Sequence, residues 1–342
     1  MQWSRKITEM STTTIANSSE SLPVSTGEPL VSVIIPAYKI APFVVETLDS
    51  VVAQTLSNYE IIVINDGSPD TEELEKQLER YSHLITYIKQ SNQGAGAARN
   101  AGIRAARGEF VAFLDGDDVW RPDFLSEQLK LLRSDSGYDF VYADAVNFSG
   151  SKFSWMTNME FNPSVGAVTA ESLISGRCNV VTSSVVVRRS LIVDVGFFDA
   201  GFPNSQDFDL WVRLAKQGAR ITYQQKVLVH RRVYEGSLAS NPIKSFEGEI
   251  KVLEKTQRRS DLTAAERAAV LQTLKVRRAS VGVLRGKQQL ASGDFRSALE
   301  AFRNANRESH SWKLRLVIIG LSIAPRLLQR VHEARASQIC AD

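Results

Sequence analysis

The chain has 342 residues and a formal charge of +3, enough for one sizeable core and an accessory piece. The charge is uneven: residues 1–240 hold 22 Lys+Arg against 28 Asp+Glu, and residues 241–342 hold 19 against 10. Cys178 and Cys340 lie far apart without metal-ligand spacing, so neither a disulfide scaffold nor a zinc site is indicated, and a reducing cytoplasm fits.

Residues 1–28 are rich in Ser and Thr and lack the apolar core of a signal peptide, so a disordered leader is expected. From Val31 strands and helices alternate, the pattern of a largely parallel sheet covered by helices. Strands are expected at Val31–Ile35, Glu60–Ile64, Ile85–Ile88 and Val111–Leu114, and helices at Phe43–Gln54, Thr71–Tyr81 and Gly96–Ala106. A helix at Pro122–Leu132 and a strand at Phe140–Ala143 follow. Between Phe148 and Ser175 the pattern weakens to loops and short strands. A strand at Val180–Val187 precedes an amphipathic helix, Gln206–Gln217, with Ser205 as its cap and Gly218 as its stop. Ile221–Val229 is the last strand, and a boundary is expected near residue 240.

Beyond that boundary strands vanish. Gly286, Leu290, Gly293-Asp294-Phe295, Ala298, Phe302 and Ala305 resemble one tetratricopeptide-like helical hairpin without a second copy. A lone unit cannot bury its own face, so it must lean on neighbours. Leu316–Ala324 is apolar and flanked by Trp312, Lys313, Arg315, Arg326 and Arg330. It is far shorter than the roughly 20 apolar residues of a spanning helix. Two readings stay open for 312–330: peripheral contact with a membrane interface, or a last helix packed on the tail, the commoner case. The basic tail reads as solvated helices rather than a nucleic-acid footprint.

The chemistry concentrates where an apolar strand runs into Asp115-Gly116-Asp117-Asp118. Ligands of open α/β sheets bind at such strand ends. Carboxylates this close repel unless protons, basic groups or a hard cation compensate them, so a metal and a phosphorylated ligand compete with an acidic capped turn. Gly94-Ala95-Gly96 looks like the start of a dinucleotide fingerprint, but Arg99 stands where its third glycine belongs.

Four segments taken together resemble family-2 glycosyltransferases of the GT-A fold. They are Ser32–Tyr38, Ile62–Ser68, the block from Asn92 through Asp118, and Gln206-Asp207-Phe208-Asp209-Leu210-Trp211. They occur in the family's order, and the resemblance covers about residues 30–240. It implies a Rossmann-like, mostly parallel α/β sheet flanked by helices, followed here by an all-α extension at 241–342.

The same resemblance implies the roles of the site residues. Asp66 would hold the nucleotide base, with Pro36 and Tyr38 bordering base and ribose. Asp117 would ligate Mn²⁺ or Mg²⁺, and Asp115 would face the ribose or the metal. Arg99 would pair with the diphosphate or with an aspartate, and Asp118 would cap, support or ligate. Asp207 would be the general base that takes a proton from the acceptor hydroxyl, giving an inverting transfer. The donor would be a nucleotide sugar, a UDP-sugar in the first instance. The acceptor would be a glycan or lipid-linked hydroxyl in cell-surface assembly.

Asn65, Gln206 and Tyr234 stand where the family often has aspartate, glutamate and histidine. Tyr234 motivates a rival reading as a silent nucleotide-sugar binder or scaffold. A nucleotidyltransferase is a weaker rival, because no glycine-rich, lysine-bearing phosphate loop follows the first strand. His230 is expected in a strand with a structural role. The absence of the motifs of processive synthases points to transfer of a single sugar.

Overall fold

Val31–Ala37 (β1) is almost wholly buried, as a strand covered on both faces must be. The computed structural model describes residues 27–134, 137–234, 236–237 and 241–339. The expected leader up to residue 26, Cys340, Glu235 and Leu238 lie outside the described residues. Strand β1 pairs in parallel with Tyr59–Asp66 (β2) on one side and Phe110–Phe113 (β4) on the other, and β2 carries Ile85–Gln90 (β3). The order β3-β2-β1-β4 means that the chain, having built outward from β1, returns to its other side. That reversal opens a crevice at the carboxyl ends of β1 and β4.

The nine-stranded sheet continues through Val185–Arg188 (β8), Phe140–Ser149 (β6), Ile221–Arg232 (β9) and Val119–Trp120 (β5), with Lys152–Thr157 (β7) on β6. Six strands share one direction, while β5, β7 and β8 run against their neighbours. The sheet is therefore mixed and mostly parallel.

Alternation along β1 divides the core. Val33 and Ile35 pack with Val44–Val52 (α1), Thr71–Leu78 (α2) and Phe124–Leu132 (α4). On the other face Ile34 packs with Ala95–Ala105 (α3), Ala170–Ile174 (α6) and Gln206–Lys216 (α8). Gly102 lets α3 settle on the sheet, since a Cβ there would meet Ile34 at 2.6 Å.

Several expectations shift. Residues 148–175 hold β7, Asn158–Phe161 (α5) and α6, both helices begun by threonine capping boxes. The expected strand from Val180 is a 3-10 turn at Thr182–Ser184 before β8, because three hydroxyl side chains interrupt the apolar run and bond locally or across the site instead. Arg189–Asp194 (α7) follows β8. Ser205 makes no side-chain cap for α8; it sits at φ +58°, where its hydroxyl does not reach the first-turn amides. Strand β9 runs on to Arg232, beyond the expected end at Val229.

The tail is all helical: Pro242–Gln257 (α9), Ala264–Ala291 (α10), Phe295–Ser309 (α11), Trp312–Ile323 (α12) and Pro325–Ile339 (α13). Leu253 of α9 and Val270 and Leu274 of α10 belong to the same cluster as Trp211 and Phe113. Residues on both sides of position 240 thus share one core. The hairpin α10–α11 closes where Phe302 lies against Gly286, and it leans on Leu321 of α12. Among the described residues no helix is long and apolar enough to cross a membrane.

Candidate active site

At the crevice between β1 and β4 lies a cavity of about 900 Å³ whose lining includes Pro36, Tyr38, Asp66, Arg99, Asp115, Asp117 and Asp207. Every sequence-expected site residue therefore faces one space.

Asp66 ends β2 and is buried. Its carboxylate accepts from Gln90 Nε2 at 2.7 Å, from the Gln93 amide at 2.9 Å and from the Gly94 amide at 2.7 Å. Three of a carboxylate's roughly four acceptor sites are thus engaged, and Asp66 fastens the loop that starts α3. Gly67 is required beside it: its φ is +61°, and a Cβ would stand 2.6 Å from the Asn92 amide.

Arg99 projects from α3 with its side chain 5% exposed and pairs with Asp115. Of the two partners open to it in the sequence, the structure has the aspartate. Its Nε and Nη1 are buried without a partner among the described residues, so two donors remain. Such donors suit phosphate oxygens.

Asp117 is more enclosed. Burial, then the charge of Asp115, pushes its carboxyl up to about 6, against the opposing influence of the nearby Tyr234 phenol. Burial in turn raises the phenol pKa, so Tyr234 stays protonated. Its ring packs on Phe43 at 4.9 Å. Asp118 caps no helix: it accepts from Ser183 Oγ at 2.6 Å and from the Arg232 amide at 2.8 Å. Burial raises its pKa, with Asp117 adding to the effect. Ser183 Oγ also accepts from the Asp115 amide at 3.2 Å, so one hydroxyl ties Asp115 to Asp118.

Asp207 lies in the first turn of α8 and lines the same cavity. Thr182 Oγ1 donates to its Oδ2 at 2.6 Å, and its Oδ1 accepts from the Phe208 amide at 2.9 Å. Gln206 is buried beside Gly96, whose missing side chain lets the start of α3 approach α8. This close approach accounts for the glycine that imitated a dinucleotide fingerprint. Asp209 faces away and pairs with Arg213 at 2.8 Å and Lys255 at 2.7 Å. His230 lies in β9, its ring edge-on to Phe153 at 5.0 Å, and burial lowers its pKa.

Among the described residues no group of three or more His, Cys, Asp or Glu is arranged to hold a metal. Two carboxylates facing a phosphate-sized space still fit Mg²⁺ or Mn²⁺, which are usually held by one or two carboxylates with substrate phosphates and water. Thr182, Asn158, Asn162 and Arg232 also border the cavity, with Ser183 bonded to Asp115 and Asp118, and sequence reasoning assigned none of them a role. The hydroxyl run Thr182-Ser183-Ser184 inside an apolar segment was the available signal.

Comparison with known proteins fits this geometry. The family model for glycosyl transferase family 2 matches residues 32–194. An uncharacterized glycosyltransferase of Rickettsia prowazekii, RP339, is 30% identical over 227 residues, covering 64% of this chain and 69% of that protein. The chain belongs to glycosyltransferase family 2. Another relative, at 28% identity over 66% of this chain and 86% of its own length, is the Escherichia coli UDP-Glc:alpha-D-GlcNAc-diphosphoundecaprenol beta-1,3-glucosyltransferase WfaP. Matches to three other rickettsial glycosyltransferases span only 31–38% of those proteins.

Solved structures place this family-2 chain in the GT-A fold. Staphylococcus aureus TarS 1-349 in complex with UDP-GlcNAc aligns with a TM-score of 0.58 at 19% identity, covering 90% of this chain and 91% of that one. The mannosyltransferase PcManGT of Pyrobaculum calidifontis, in complex with GDP-Man and Mn²⁺, aligns at 0.60 and 18%, covering 94% and 90%.

Proposed function

We propose that this chain transfers a single sugar from a nucleotide-sugar donor to a hydroxyl of a lipid-linked or glycan acceptor, with inversion at the anomeric carbon. The carrying observation is that Asp115, Asp117 and Arg99 line one cavity with Asp207 at the sheet's switch point. Inversion by direct displacement needs a base on the side opposite the leaving nucleotide. Asp207 is that base in our reading, accepting the hydroxyl proton on its carboxylate.

The unpaired Arg99 donors would hold the diphosphate, and Asp117 with Asp115 would hold Mn²⁺ or Mg²⁺, which supplies charge neutralisation for the departing diphosphate. Pro36, Tyr38 and Asp66 border the nucleoside end. The UDP-GlcNAc in TarS and the GDP-Man with Mn²⁺ in PcManGT support such a donor and metal, and the name of WfaP supports a lipid-linked acceptor.

The Tyr234 phenol beside Asp117 favours a second reading, a silent nucleotide-sugar binder, because it stands next to the expected metal ligand where the family often has histidine. One experiment separates the two. With Mn²⁺, a panel of nucleotide sugars should raise the melting temperature of the native chain but not of Asp117→Ala. Asp207→Asn should keep that rise while losing release of nucleoside diphosphate to acceptor. Indifference to every donor would end both readings, and a donor-induced rise without any turnover in the native chain would leave the silent binder.

A further inference from the structure

The last two described helices show two faces of different character. Leu314, Val317, Ile318 and Leu321 of α12 pack toward Leu290, Ala298 and Phe302 of the hairpin. Trp312, Leu316, Ile319 and Ile323 are 53–78% exposed. Those four positions follow the spacing i, i+4, i+7, i+11, which puts them in one narrow stripe opposite the packed side. Lys313 and Arg315 fall on its two flanks, both exposed.

On α13, exposed Leu327 and Val331 make a second i, i+4 pair beside exposed Arg326 and Arg330. The helices are joined where Leu328 reaches over Gly320. No Asp or Glu occurs between Glu308 and Glu333. The two readings left open by the sequence thus describe opposite sides of one helix.

An apolar stripe whose charged borders are all cations, with Trp at one end, matches the headgroup–acyl boundary of an anionic bilayer. We propose that the α12–α13 face docks on anionic phospholipid, with Trp312, Leu316, Ile319 and Ile323 entering the interface and Lys313, Arg315, Arg326 and Arg330 meeting phosphates. This docking needs neither donor nor acceptor, so it is tested apart from the transfer reaction.

The full chain is floated with vesicles of phosphatidylcholine alone or with one third phosphatidylglycerol. It should rise with the mixed vesicles and release in high salt. Lys313→Gln with Arg326→Gln should weaken binding roughly 25-fold, about fivefold per lost charge. Ile319→Asp with Ile323→Asp should abolish it at unchanged melting temperature, because both sites are exposed. Quenching of tryptophan by brominated lipid should vanish in Trp312→Phe. The proposal is overturned if the native chain stays in the aqueous fraction with mixed vesicles, or if the double Asp variant binds as before. A dimer by light scattering that the same pair dissolves would also overturn it, assigning the face to a second copy.

Discussion

Gly248 of α9 lies against Asn204 with room for a hydrogen and nothing larger: a Cβ there would stand 2.2 Å from Asn204 Oδ1 and 2.6 Å from Ser205 Oγ. Asn204 in turn donates to the Lys244 carbonyl at 2.7 Å. Through this contact the first tail helix sets the loop that carries Ser205, held at φ +58°, and then Asp207. Gly248→Ala is expected to shift the loop and lower kcat about 10- to 100-fold, as misplacement of a reacting group by about an ångström does. The donor-induced rise in melting temperature should survive, because Asp115, Asp117 and Arg99 are on other elements. Equal loss of donor binding would show that the tail supports the whole cavity rather than the part that carries Asp207.

Arg99 supplies the second prediction. Its guanidinium pairs with Asp115 while keeping Nε and Nη1 unpartnered, and a lysine ammonium cannot reproduce that fork. Arg99→Lys should therefore weaken nucleoside diphosphate binding about 10-fold, of the order of 1–2 kcal/mol, measured by titration calorimetry. Unchanged affinity would assign Arg99 to holding Asp115 alone.

The acidic strand end also affects stability. Burial and Asp115 raise the Asp117 carboxyl from 3.8 to about 6 in the folded chain, so between those values the folded state holds a proton that the unfolded state releases. Stability through this group is present below about pH 4 and is lost as pH rises through about 6. Asp117→Asn removes the charge, so metal-free, it should be more stable than the native chain at pH 7.5, by at most about 3 kcal/mol. The difference should shrink toward pH 4. A pH-independent difference in melting temperature would contradict this account.

Much of the site was legible because it is local. Asp66, Asp115 and Asp117 end apolar strands, and Asp207 opens a helix with a clean stripe, so each announces itself within a few residues. What was not legible arises between distant segments. Thr182 meets Asp207 across 25 positions, and Gly248 meets Asn204 across two domains' worth of pattern; neither contact has a periodic signature. The two-residue strand β5 exists only because β9 passes beside it. Ser205 has the composition of a cap but a left-handed backbone, which only its surroundings impose. The outward stripe of α12 was visible as apolarity, but its exposure depended on which side the hairpin took.

The tail hairpin gives the last prediction. Phe302 is 3% exposed and rests on Gly286, where a Cβ would meet its ring at 2.8 Å. It belongs to a cluster of four buried residues, Leu290, Ala298, Phe302 and Leu321, separate from the cluster that includes Trp211. Truncating a buried phenylalanine costs about 3–5 kcal/mol, a large share of what so small a cluster can supply. Phe302→Ala should therefore loosen α11 and α12 first, seen as faster amide exchange in residues 295–323, while α8, anchored in the larger cluster, keeps its protection and the donor-induced melting shift persists. Because α12 is held to the hairpin through its inner side, the same variant should also lose its affinity for anionic vesicles. If exchange instead rose throughout α8 and α9, the two clusters would be one cooperative unit, and the helix that carries Asp207 would depend on the hairpin directly.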